Sequence, residues 1–146
     1  MTGERLTEDL LARLLAAPTP DDYLDEGLTL KRSLADYLHE MLADKGLKRA
    51  DVYRASGLNS TVVYDAFAGK SRLGRDNALM VAFGLGCSLR ETQRLLKLAG
   101  VAELYPKVRR DAIIIWCIDR GMSREDCDDE LWRFGEKTLL GTSPLQ

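Results

Sequence analysis

Residues 46–70 read GLKRADVYRASGLNSTVVYDAFAGK, and they limit the possible folds more than any other stretch of the chain. Lys48 to Ser56 is spaced as a short helix with Val52 and Ala55 inward. Gly57 suits the left-handed position that follows a helix C-terminus. Asn59 is a good N-cap for a second short helix, which buries Val63 and ends at Gly69. The turn sets the second helix across a platform that neighbouring helices must supply.

The rest of the chain predicts helices throughout, so the expected fold class is all-α. Leu6, Leu10, Leu11, Leu14 and Leu15 make one apolar stripe, closed by Pro18. Thr19, Pro20 and Asp22 suit the cap, first and third positions of a short helix stopped by Gly27. Leu30, Leu34, Leu38, Met41 and Leu42, with Tyr37, form a further stripe that ends at Gly46. Leu79, Ala82 and Phe83 mark another helix, ending near Gly84 and Gly86. Ser88-Leu89-Arg90-Glu91 is a capping box for a helix with Leu95, Leu96 and Ala99 inward, closed by Gly100.

After Pro106 the character changes. Ala112 to Ile118 reads AIIIWCI, apolar on every side. Periodicity does not separate a buried strand from a buried helix here, but no other segment offers a strand partner, so Arg109–Arg120 is expected as a helix ending at Gly121. A helix apolar all round needs cover on all sides, and a second copy of the chain is one source of cover. Trp116 and Trp132 are expected in the core or a dimer contact. Ser123 to Asp126 opens a last helix with Cys127, Leu131 and Phe134 on one face and Trp132 beside it. The organisation expected is an N-terminal helical arm over 1–28, a central domain over 29–100 and a C-terminal helical extension over 101–146.

With 146 residues and 45% apolar content, the chain can bury a core without metals or disulfides. It has no apolar run near the roughly 20 residues needed to cross a bilayer, and its charged N-terminus lacks a signal-peptide core, so no membrane partner and a cytoplasmic location are expected. Cys87, Cys117 and Cys127 read as reduced core thiols, with a Cys117–Cys127 disulfide as the lesser alternative. His39 is the only histidine and lies beside an apolar stripe, as a packing or surface residue. One histidine and no Gly-rich phosphate loop leave no nucleophile or acid–base pair with an orienting partner, so no enzyme is expected. The acidic clusters Asp21-Asp22 and Asp128-Asp129-Glu130 suit helix N-terminal turns rather than a calcium loop. Neither a cofactor nor a metal is implied.

Charge is unevenly distributed. The net value is -2. Residues 1–30 carry two basic and seven acidic side chains, residues 31–100 twelve and seven, and residues 101–146 seven and nine. From Lys45 to Arg75 there are seven basic groups against two acidic ones. Local field rather than total charge steers a polyanion, so the basic region coincides with the two-helix motif in a way that suits double-stranded DNA.

Over Leu34 to Gly100 the chain resembles the five-helix DNA-binding domain of the phage-repressor-like (Cro/cI, XRE) helix-turn-helix family. The resemblance rests on Gly46-Leu47, Gly57-Leu58-Asn59, Val63, Gly69-Lys70, the apolar Leu79–Phe83 segment and Gly86-Cys87-Ser88-Leu89. It implies a dimeric transcriptional regulator whose recognition helix, about residues 60–68, enters the major groove. By position in the family motif, Ser60, Thr61, Tyr64 and Asp65 face the bases. Lys48, Arg49, Asn59, Lys70, Arg72 and Arg75 are placed to hold phosphates. Arg49 stands where the family usually has a phosphate-binding glutamine.

There are departures. Asp65 replaces a polar or basic group, Phe67 a glutamate, and Leu73 a proline. No Gln or Asn stands at the base-facing positions, and Ser and Thr hydroxyls discriminate poorly between bases, so modest sequence specificity is expected. The competing reading is a protein-binding adaptor, or an antitoxin-like partner, that keeps the helix-turn-helix shape without relying on DNA.

Overall fold

In the computed structural model, residues 3–25 and 33–144 are described, and every regular element among them is an α-helix. The order is α1 Gly3–Ala16, α2 Pro20–Asp25, α3 Leu34–Lys45, α4 Arg49–Ser56, α5 Ser60–Phe67, α6 Arg75–Leu85, α7 Leu89–Leu98, α8 Arg109–Asp119 and α9 Arg124–Arg133. No helix among the described residues is long and apolar enough to cross a membrane. The chain divides into two compact units, Met1–Lys31 and Arg32–Gln146.

In the first unit, the Thr19 hydroxyl donates to Asp22 and accepts from its backbone N–H, as the cap signal predicts. The α1 stripe does not become a core: Leu11, Leu14 and Leu15 are exposed. The expected stop at Gly27 and the stripe member Leu30 lie outside the described residues, as does the Leu6 side chain.

In the second unit the helix ends follow their local chemistry. Ser33 caps α3 through a capping box with Asp36, Ser88 caps α7 through one with Glu91, and Ser123 caps α9 by accepting from Asp126 N. Each such cap satisfies a donor that the helix itself leaves unpaired. Helix α6 is the centre of the unit. Ala78, Leu79, Met80, Val81 and Ala82 are all buried, so neighbours cover it on every side. Val52 of α4, Val63 and Phe67 of α5, Leu95 and Leu96 of α7, Ile114 of α8 and Leu131 of α9 complete one continuous core. Each fully buried aliphatic side chain contributes about 1.5–3 kcal/mol.

Helices α4 and α6 cross in very close approach at Gly84. A Cβ there would stand 2.8 Å from the Val52 carbonyl oxygen and 3.2 Å from Ser56 Cβ. Gly84 is thus a packing residue inside α6, and the helix ends at Gly86 with φ +67, within the stop expected near these two glycines. One sequence expectation is corrected. The inward partner of Val52 is Ser56, four residues on, and Ala55 is exposed. Ser56 sits in the core because its hydroxyl is satisfied, donating to Tyr53 O and accepting from Leu58 N.

The C-terminal extension is part of the same compact unit as residues 32–100. Two crossed ion pairs join the N-terminal turns of α6 and α8. Arg75 holds both Asp111 oxygens at 3.0 and 2.7 Å, and Arg110 holds both Asp76 oxygens at 2.9 and 3.2 Å. Arg110 also donates to the carbonyls of Lys137 and Thr138, which fastens the chain beyond α9. The apolar stretch 112–118 is helical, with Ile114, Cys117 and Ile118 buried. It is not covered all round, since Trp116 is 48% exposed. Trp132 and Phe134 are also exposed, so the α9 core face reduces to Cys127 and Leu131. The three cysteines are free and buried, and burial pushes the Cys87 thiol up to about 12.

Candidate nucleic-acid interface

The α4–α5 pair is held from both ends. At its start, Lys48 N donates to Asp51 Oδ2 at 2.9 Å, closing the first turn of α4. That bond, and then the Arg54 side chain at 2.9 Å, hold the Asp51 carboxyl below its ordinary range. Between the helices, Gly57 adopts φ +83, a left-handed conformation that only glycine takes without strain. Asn59 then caps α5, its Oδ1 accepting from Val62 N at 2.9 Å. At the far end His39 of α3 places Nε2 2.8 Å from the Phe67 carbonyl oxygen, with its ring edge-on to the Phe67 ring. His39 therefore satisfies a carbonyl at the C-terminus of α5, a structural role consistent with the packing expected from sequence.

On the outside of this pair Arg49 stacks over the Tyr64 ring, its guanidinium carbon 5.3 Å from the ring centroid. This contact crosses from the first turn of α4 to the middle of α5 and orders a long cationic side chain against a flat support. Sequence spacing did not show it, although an Arg and a Tyr on facing short helices are the signal that would suggest it. Thr61 and Tyr64 are exposed, while Ser60 and Asp65 are half-buried. The Asn59 Oδ1 is taken by the cap, which leaves the amide Nδ2 as the donor for an outside acceptor. Lys48, Arg49, Lys70 and Arg72 are exposed. Four cations thus flank α5, two at the first turn of α4 and two just beyond the C-terminus of α5.

Arg75 does not belong with them. Its Nη atoms hold Asp111, and Nε and Nη2 donate to the carbonyls of Ala102 and Glu103 at 2.9 and 3.1 Å. Four of the five guanidinium N–H donors are thus committed inside the fold and its charge is paired with Asp111, so its place in the predicted phosphate set is withdrawn. Nothing in the local sequence marks this, because the partner lies 36 residues away.

Elsewhere, an apolar groove of about 340 Å³ runs between α8 and α9, lined by Ala112, Ile113, Trp116 and Phe134 with Glu130 and Arg133 at its rim. Arg120 lies over the Trp116 ring at 3.9 Å and Arg133 over the Phe134 ring at 4.3 Å. Among the described residues, no group of three or more His, Cys, Asp or Glu is arranged to hold a metal ion. The chain matches no family model, no curated protein and no solved structure.

Proposed function

We propose that this chain is a DNA-binding transcriptional regulator of the phage-repressor-like helix-turn-helix kind, with α3 to α7 as its docking domain and α5 as the helix that enters the major groove. The observation that carries the reading is the arrangement around α5. A capped N-terminus with an outward amide, an arginine stacked on Tyr64 and two exposed cations past the helix end all suit a phosphate backbone. Ser60, Thr61 and the Asp65 carboxylate face the bases, and Asp65 accepts from a cytosine amine. Backbone contacts dominate affinity, and sequence preference is modest.

The regulator acts as a homodimer through the outer face of α8 and its groove with α9. Trp116 and Phe134 supply the apolar centre of that face. Its rim carries the ion pairs Arg133–Glu130, Arg109–Glu136 and Arg120–Asp119, with both signs side by side. A two-fold interface must complement itself, and a mixed-sign rim does so where a single-sign rim would not. Ile114 is fully buried within one subunit, so Trp116 is the position that probes the contact.

The test is a titration of labelled duplex at several salt concentrations, with sedimentation run in parallel. Four phosphate-holding cations give a slope of about -3.6 in log affinity against log salt per bound subunit, at about -0.9 for each. Trp116→Glu is expected to give monomers. Absence of binding below about 10 µM, near the non-specific range, together with no salt dependence, removes the DNA reading. The adaptor reading is favoured by Asp65 and the hydroxyl-bearing Ser60 and Thr61, which read bases poorly, and gains if a protein partner is retained by Arg49→Ala/Lys70→Ala and released by Tyr64→Ala.

A further inference from the structure

The turn between α4 and α5 is exposed on one side and, on the side where a Gly57 side chain would stand, is contacted by a buried arginine from the C-terminal extension. A Cβ on Gly57 would lie 2.7 Å from Arg124 Nε and 3.0 Å from Cζ, so the guanidinium rests directly on the Gly57 α-carbon. Arg124 is the first residue of α9 and is 7% exposed. Its Nη1 donates to Asp128 at 2.7 Å and its Nη2 to Glu125 at 3.0 Å. Its Nε is buried and finds no partner among the described residues. The second oxygen of Asp128 accepts from Leu139 N at 2.6 Å, which ties the chain beyond α9 into the same network.

This arrangement is expensive for a role in packing alone. Two buried charges lose hydration, and an apolar side chain of similar volume often fills such a site at no loss of stability. A buried donor left unpaired adds a further penalty. The guanidinium supplies something a hydrocarbon does not: a flat plate whose position two carboxylates fix. Only glycine leaves room beneath it, and Gly57 is where the chain reverses between α4 and α5.

We propose that Arg124 is a positioning residue for the α4–α5 turn, held in place by Asp128, and that through it the C-terminal helices set how α5 is presented. The proposal rests on the DNA-docking reading for its consequence and on the free protein for its direct test. Two substitutions separate positioning from filling. Arg124→Met keeps the volume, and Asp128→Asn keeps the shape while loosening the anchor.

Amide hydrogen exchange is read at Leu58, whose N–H is held by Ser56 within the turn, and at Leu79 and Val81 in α6. In both variants Leu58 is expected to exchange at least tenfold faster with the α6 amides unchanged. Duplex affinity is expected to fall about tenfold at fixed salt with an unchanged salt slope, because no phosphate contact is removed. Unchanged exchange at Leu58 overturns the proposal, and so does equal acceleration at Leu58 and α6, which would mark a structural role only. Faster exchange at Leu58 with full duplex affinity overturns the coupling to α5. Should the unsubstituted protein bind no duplex, the exchange result still decides whether Arg124 positions the turn, and only the DNA reading falls.

Discussion

The arginines near the α4–α5 pair and those near the α6–α8 junction have the same chemistry and opposite uses. Arg49 lies on the surface against Tyr64, and Arg72 is exposed. Arg75, only three residues on, is turned inward onto Asp111, while Arg110 and Arg124 hold Asp76 and Asp128. Outward arginines keep donors for another molecule, and inward ones fasten this molecule to itself. A count of charges along the chain therefore overstates the cationic face, and geometry removes Arg75 from it. The comparison also shows why the extension is more than an appendage. Each of these three inward pairs has at least one partner on α8 or α9.

The contrast is sharpest under substitution. Asp111→Ala is expected to cost about 3 kcal/mol, the lower end for breaking a buried pair, because Arg75 keeps some solvent access and Tyr105 N loses its acceptor. The midpoint of urea unfolding measures this, and a loss below about 1 kcal/mol would put the junction on a level with surface pairs.

Acid provides an intermediate effect. Burial pushes the Glu91 carboxyl up, but the Ser88 N–H and Lys45, both bonded to it, together hold it below its ordinary range. Asp51 is lowered by Lys48 N–H and Arg54. Carboxylates lowered in the folded state contribute stability that is complete above their unfolded values near pH ~4 and lost as pH falls through the folded ones. Thermal unfolding followed from pH 7 to pH 3 is expected to show a decline confined to the acid side of that range, and Glu91→Gln is expected to shrink it.

The smallest effect on stability belongs to the outward cations. Lys70→Ala with Arg72→Ala is expected to change unfolding by less than about 0.5 kcal/mol, as surface substitutions do. The same pair is expected to reduce the salt slope of duplex binding by about 1.8. A large loss of stability would show that these side chains are internal fasteners like Arg75.

Much of the fold was legible because helix ends are written locally. Asn59, Ser88 and Ser123 cap where expected, and Gly46, Gly57 and Gly86 take the left-handed conformation. What was not legible depends on residues far apart in sequence. Ala55 reads as the inward residue of α4, and only the close approach of α6 at Gly84 gives that place to Ser56. Phe134 reads as core until its helix is placed and its ring lies outward beneath Arg133. For the candidate site, the surface position of Lys48, Arg49, Lys70 and Arg72 is what short charged stretches beside helix ends suggest, and the four are exposed. The stacking of Arg49 on Tyr64 and the seat of Arg124 on Gly57 required the tertiary arrangement.

The absent side chain at Gly84 has a mechanical corollary. Where a carbonyl and a valine of one helix sit against the bare backbone of another, the pair has no slack to take up. Even the single methyl of Gly84→Ala would meet the Val52 carbonyl at 2.8 Å, backbone that cannot swing aside as a side chain can, so α4 and α6 would have to part to admit it.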